Sequence, residues 1–160
     1  MHVAGENGAG KTSLLTAVLD ELTRTDEVVA TLPQELDDWE ALQSVRELDP
    51  ALRGRVLGAA ANLGVDPDRI LVTDAPSPGE ARKLELARLL ASEATFLVLD
   101  EPTNHLDLPS IERLETALRD WPGAMLLVTH DDALADAVAT ARWCVSDGSV
   151  RTDLTADAPH

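Results

Sequence analysis

Eight residues near the start, Gly5 to Thr12 in "MHVAGENGAGKTSLL", constrain this chain more than any other stretch. They follow the pattern G-x-x-x-x-G-K-T. Gly5, Gly8 and Gly10 let the backbone turn tightly and aim its N–H groups inward, and a loop of this kind opens a helix whose N-terminus favours anions. This is the pattern of a phosphate-binding loop, or P-loop. Lys11 is placed to reach the β and γ phosphates of a nucleotide, and the Thr12 hydroxyl to ligate Mg²⁺. Glu6, Asn7, Ala9 and Ser13 complete the expected cradle. The competing reading is an ordinary glycine-rich turn. The length of the motif and its strand–loop–helix setting argue against that.

The rest of the chain supplies the same alternation. Met1–Ala4 reads as a short strand. Lys11–Leu22 has helical spacing in Leu14, Leu15, Val18, Leu19 and Leu22. "EVVATL" at 27–32 is a second strand, stopped by Pro33. Asp38–Leu48 and Pro50–Leu63 read as helices, with Gly64 as a stop. Residues 66–79, rich in Asp, Pro and Ser, read as loop, and Glu80–Ala91 as helix. Then come a strand at 95–100, a helix over Ser110–Arg119, a strand at 124–129, a helix over Asp132–Ala139 and a last strand at 142–146. Strands separated by helices imply an α/β fold, a mainly parallel sheet flanked by helices. One domain is expected over 1–151, with a small helical subdomain at about 35–90, and a polar, frayed tail over 152–160.

Composition narrows the functional classes. A chain of 160 residues can bury a sizeable core, roughly 70% of its unfolded surface. With no Tyr and one Phe, aliphatic side chains must fill that core. The formal net charge of −16, with Lys only at Lys11 and Lys83, disfavours nonspecific binding to nucleic acid or anionic lipid. Cys144 is alone, so no intrachain disulfide framework exists. It is expected as a small inert thiol in a buried strand. No signal peptide is visible, and no apolar run approaches the ~18 residues of a membrane span. No membrane insertion is expected, and the cytoplasm is the expected compartment.

A second acidic motif fits the P-loop. "FLVLDE" ends an apolar strand with Asp100 and Glu101. In doubly wound sheets ligands bind at the carboxyl ends of strands. There Asp100 suits a water-mediated Mg²⁺ contact, and Glu101 can polarise an attacking water.

"EPTNHLD" at 101–107 closely resembles the ABC ATPases, and "TNHLD" the ABC-F branch in particular; transport motors more often carry "TSALD" there. The other family motifs follow in order. Gln34 in "LPQE" matches the Q-loop glutamine that senses metal and γ phosphate. "SPGEARKLELARLLA" at 77–91 is similar to the signature segment and its helix. Asp107 matches the D-loop aspartate at the dimer seam, and His130 in "LLVTHDD" the switch histidine near the γ phosphate. The resemblance covers nearly the whole chain and implies a P-loop NTPase fold. It implies ATP and Mg²⁺ as cofactors, with Thr12, Gln34 and Asp100 at the metal. It also implies Glu101 and His130 as catalytic residues, and a second ABC ATPase domain as partner. Ser77, Gly79, Glu80 and Asp107 would meet the nucleotide held by that partner. Action on the ribosome, including protection against antibiotics, is the biological task implied.

Two departures qualify the resemblance. The family's signature usually reads L-S-G-G-Q or L-S-G-G-E, and here it is Pro76-Ser77-Pro78-Gly79-Glu80. Ser77 as N-cap, Pro78 at N1 and Glu80 at N3 make a capping box. Pro78, however, has no N–H to offer a phosphate. The family also places an antiparallel strand layer, with an adenine-stacking aromatic residue, before the P-loop. The chain is therefore expected to be most of one ABC-F-like domain, the second of two, as a fragment or a truncated gene product. Without that layer, apolar surface near Val3 would be less protected. Two rival readings stay open here: a transport motor coupled to a permease, and a non-catalytic remnant. His2, His105 and His160 are read as outside the chemistry, and Trp39 and Trp121 as packing residues.

Overall fold

In a computed structural model that describes residues 1–6, 8–32, 36–146 and 148–154, strands and helices alternate much as the sequence implies. The strands are β1 (His2–Ala4), β2 (Val29–Leu32), β3 (Phe96–Asp100), β4 (Ala124–Val128), β5 (Ala141–Ser146) and β6 (Ser149–Leu154). The helices are α1 (Lys11–Leu22), α2 (Asp38–Arg46), α3 (Pro50–Asn62), α4 (Pro67–Val72), α5 (Pro78–Leu90), α6 (Leu108–Arg119) and α7 (Asp132–Val138). The six strands form one sheet in the order β2-β3-β4-β1-β5-β6. Every pairing is parallel except β5 with β6.

Side-chain alternation along the central strands builds two cores. Leu97 and Leu99 of β3 and Leu127 of β4 face one side, where Leu42, Val45, Val56, Leu84, Leu114 and Leu134 meet them. Val98 of β3 and Leu126 and Val128 of β4 face the other, against Val3, Val145 and Leu15 of α1. Parallel strands buried on both faces read as continuous apolar runs, which is why "FLVLD" and "AMLLV" stood out. The large side chains that are fully buried are all Leu or Ile. Val3, 0% exposed, lies in β1 between β4 and β5. The surface near it is thus better covered than the sequence suggested.

Three expectations are corrected. Residues 67–72, read as loop, form α4. Asp66 accepts hydrogen bonds from the Asp68 and Arg69 amides, Pro67 stands in the first turn, and Ile70 anchors the turn in the core. Thr152–Leu154, assigned to a frayed tail, belongs to β6, which pairs antiparallel with β5 from Ser149 opposite Ser146 to Leu154 opposite Ala141. This edge strand is exposed along its length, so it carries no apolar alternation to announce it. Trp39 is 52% exposed on α2 and does not pack, whereas Trp121 is half-buried against the larger core.

Candidate functional site

The start of α1 is unlike every other helix start among the described residues. Asp37, Asp49, Asp66, Ser77, Asp107 and Asp131 cap α2 to α7 by accepting backbone N–H groups. At α1 the N-cap is Gly10, with φ 103°, no side-chain cap and no acidic residue in the first turn. The first amides of a helix need an acceptor and carry the positive end of its dipole. At α1 the chain itself supplies no side-chain acceptor. Gly10 can hold its left-handed backbone because it has no Cβ. Gly5 is needed for a different reason: a Cβ there would come within 2.6 Å of the Val145 carbonyl oxygen of β5. The Ala9 amide donates to the Glu6 carbonyl at 3.1 Å, tightening the loop. Lys11 Nζ donates to the carbonyls of Gly5 at 2.7 Å and Glu6 at 3.1 Å, so the ammonium folds back over the loop rather than out into solvent.

The carboxyl ends of β3 and β4 face this helix start. Asp100 ends β3. Glu101 follows with φ 46°, a left-handed backbone that costs energy in a residue bearing a Cβ and needs outside support. Its amide donates to the Val128 carbonyl at the end of β4, at 2.8 Å. Its carboxylate meets His130 twice, with Oε1 3.4 Å from Nε2 and Oε2 3.4 Å from the amide nitrogen. Asp131, next in sequence, is committed to capping α7. A cavity of about 660 Å³ is lined by Gly8, Gly10, Lys11, Thr12, Ser13, Asp100, Glu101 and His130. The structure thus brings together residues from three distant stretches of sequence. Thr103 and Asn104 line the same cavity. Their position in "EPTNHLD" was the available signal, but only their neighbours were singled out as site residues.

A hydroxyl at Thr12 and a carboxylate at Asp100 are hard oxygen donors on one cavity, which suits Mg²⁺. Among the described residues no group of three or more His, Cys, Asp or Glu could hold a metal ion. A cation here would therefore complete its shell with phosphate oxygens and water. Asn7 and Gln34, both expected at the site, lie outside the described residues.

Ser77, Gly79, Glu80 and Asp107 do not line this cavity. The capping box forms as expected: the Glu80 amide donates to Ser77 Oγ at 3.3 Å, and the Ser77 amide and hydroxyl donate to Glu80 Oε2 at 2.9 and 2.8 Å. Arg69 pairs with the other oxygen of Glu80. Gly79 lies so close to the segment after β3 that a Cβ would stand 2.8 Å from the His105 carbonyl oxygen. His105 itself takes φ 65°. Asp107 caps α6 through Ser110. That hydrogen bond, aided by Lys83 at 3.9 Å, holds its carboxyl below the usual carboxylate range.

Two buried polar residues escaped sequence reasoning. Arg82 of α5 is 2% exposed and donates to the carbonyls of Asp100 at 3.0 Å and Glu101 at 2.6 Å. His2 of β1 places Nε2 3.3 Å from the Thr129 carbonyl, directly before His130. Burial pushes the pKa of the His2 ring down, partly offset by the Thr129 bond.

Residues 1–104, which hold the loop before α1 and the acidic end of β3, match the family described as ABC transporter. The chain belongs to the ABC transporter family. Within it, the similarity is to ABC-F proteins. The chain is 32% identical over 174 residues to the ribosome protection protein VmlR of Bacillus subtilis, covering 98% of this chain and 31% of that protein. It is 30% identical over 166 residues to ABC transporter F family member 2 of Arabidopsis thaliana, covering 92% of this chain and 24% of that protein. The chain therefore spans less than a third of the length of each of these relatives. Among solved structures, the ATP-binding cassette MJ0796, in a dimeric post-hydrolysis state bound to ADP and Pi, superposes with TM-score 0.75 at 21% identity, covering 96% of this chain and 84% of that one. This agreement bears out the expected P-loop NTPase fold. The chain is a domain of the ABC type, similar to ABC-F proteins. No helix among the described residues is long and apolar enough to cross a membrane.

Proposed function

We propose that the cavity at the start of α1 binds Mg–ATP and that the chain takes part in its hydrolysis. The observation that carries this reading is the convergence of Lys11, Thr12, Asp100, Glu101 and His130 on one cavity at the single uncapped helix start among the described residues. The amides of residues 8–13 and the Lys11 ammonium hold the β and γ phosphates. Lys11 exchanges its two carbonyl partners for phosphate oxygens, trading neutral acceptors for charged ones. Thr12 and Asp100, with Gln34, hold Mg²⁺. When bound, the cation neutralises charge on the phosphates. Glu101 orients the attacking water and draws its proton, and His130, hydrogen-bonded to that carboxylate, assists at the γ phosphate.

The partner is a second ABC ATPase domain, of the same or another chain, that closes over this nucleotide. Ser77, Gly79, Glu80 and Asp107 face the nucleotide of that domain, a reading supported by their placement away from the cavity. The dimeric state in which MJ0796 was solved supports the pairing. Residues 35–90 act as a helical subdomain within a domain that runs to the end of β6 at Leu154. Ribosome association is the favoured task of the whole protein, supported by the likeness to VmlR, and protection against antibiotics is supported by the likeness to the tylosin resistance ATP-binding protein TlrC of Streptomyces fradiae. The relatives do not favour the transport-motor alternative.

The test is Lys11→Ala. Losing charge-assisted bonds of about 1.5–3 kcal/mol should weaken Mg–ATP roughly ten- to a hundred-fold in calorimetry. Equal affinity in variant and parent would overturn the assignment.

A further inference from the structure

We propose that Arg82 is a positioning residue for Glu101, holding its carboxylate in the hydrolytic position and tying that position to helix α5. Its catalytic part rests on the reading of Glu101 given above. Three observations converge. First, Arg82 is 2% exposed, one of two buried charged residues on α5 with Glu85, and Glu85 is paired with Arg88. A buried guanidinium is expensive unless its N–H groups are satisfied, so its acceptors matter. Second, its named acceptors are the backbone carbonyls of the two acidic residues that end β3, Asp100 and Glu101. Third, Glu101 holds a left-handed backbone, φ 46°, which a residue with a Cβ keeps only when its surroundings over-determine it. The Glu101 peptide is pinned from one side by the Val128 carbonyl and from the other by Arg82. With those bonds in place, the carboxylate lies against His130.

Helix α5 meets this segment at two further points. Gly79 fits under the His105 carbonyl, and Lys83 lies 3.9 Å from Asp107. Arg82 stands between them, one turn along the helix from Gly79. A shift of α5 thus pulls on the Glu101 carbonyl through a rigid, charged connection. This makes α5 a lever on the water-polarising group.

The experiment compares the parent with Arg82→Met, which keeps much of the volume but offers no donor, and Arg82→Lys, which restores one charged donor. Two readouts are taken on each. One is amide hydrogen exchange at Glu101 relative to Leu97 and Leu99 in the middle of β3. The other separates Mg–ATP affinity from single-turnover hydrolysis. In Arg82→Met, Glu101 amide protection should fall about tenfold more than that of Leu97 and Leu99, a local opening. Mg–ATP affinity should stay within about twofold while hydrolysis drops by up to about 10²-fold, the scale of a misplaced catalytic group. Arg82→Lys should recover part of both. Equal loss of protection at all three amides, or a fall in affinity matching the fall in rate, would make Arg82 a merely structural residue and overturn the proposal. If Arg82→Met does not fold, Arg82→Lys decides by the same ratios. If the parent hydrolyses no ATP even with a partner domain present, the reading of Glu101 as catalytic fails, and the exchange ratio still decides whether Arg82 holds its backbone.

Discussion

The starts of α1 and α5 are both glycine-bearing turns into helices, and family resemblance links both to ATP phosphates, but they are built in opposite ways. At α1, Gly10 is the N-cap, no side chain among the described residues accepts the first amides, and the Lys11 ammonium folds back over the loop. At α5, Ser77 and Glu80 consume each other's donors, Pro78 removes one amide, and Arg69 closes the remaining carboxylate oxygen. The difference separates two uses of the same local geometry. A helix start left unsatisfied by its own side chains has its dipole and amides available to an anion. A start satisfied internally contributes to the stability of the fold. On the proposed reading the phosphate seat is at α1, and α5 acts on the site from behind, through the residues that end β3.

The largest effect should come from the chemistry facing α1. Glu101→Gln keeps the shape and hydrogen bonding beside His130 but removes the charge that draws a proton from water. Hydrolysis should fall about 10²- to 10⁴-fold. ATP should still bind, because Lys11 and the loop amides are unchanged. Single-turnover hydrolysis in the presence of a partner domain measures this. An unaltered rate would remove Glu101 from the mechanism and leave the contrast between the two helix starts without a catalytic meaning.

How much of this could be read in the sequence depended on whether a residue's environment was local. α1 matched its expected bounds because the loop fixes its start and the spacing of Leu14, Leu15, Val18, Leu19 and Leu22 fixes its face. β3 and β4 were legible because a strand covered on both faces must be apolar at every position. The polar edge strand β6 had no such requirement; the dipeptide Asp147-Gly148 after β5 was its only signal, one that marks hairpins. α4 was passed over although Asp66-Pro67 is a good helix start, because one buried Ile70 in six residues gives no periodicity. At the site, Lys11, Asp100, Glu101 and His130 were legible from motifs. Arg82 was not, since a lone Arg on a helix reads as a solvated charge, and only the packing of α5 on the end of β3 makes it buried. His2 escaped for the same reason: its partner, Thr129, lies 127 residues away in the chain.

A smaller effect should follow at α5. Ser77→Ala removes the N-cap hydroxyl and with it one of the two bonds that Ser77 donates to Glu80, so stability should fall by about 1 kcal/mol, within the usual 0.5–2 kcal/mol range. Binding of Mg–ATP to the isolated chain should not change, because Ser77 does not line the cavity. Urea unfolding and calorimetry on the same variant check both halves. Weaker ATP binding at unchanged stability would reverse the assignment of the two starts.

The smallest effect concerns acid, and it sharpens the contrast by using the next capped helix. Asp107 caps α6, and its carboxyl is held below the ordinary range first by the hydrogen bond from the Ser110 side chain, with Lys83 and the Ser110 amide adding to it and partial desolvation opposing. The ionised form is therefore favoured by folding. A carboxyl whose folded pKa lies below its unfolded value of about 3.9 contributes stability above that value and loses it as pH falls through the folded one. The side chain is 67% exposed, so water and salt screen the Lys83 part and the contribution is small. Asp107→Asn keeps an acceptor that can still cap a helix, and isolates the charge. The stability gap between parent and variant, measured by urea unfolding, should be open at pH 6, narrow as pH falls below about 4, and shrink in high salt. A gap that stays constant from pH 6 to pH 3 would mean that Asp107 acts through shape alone.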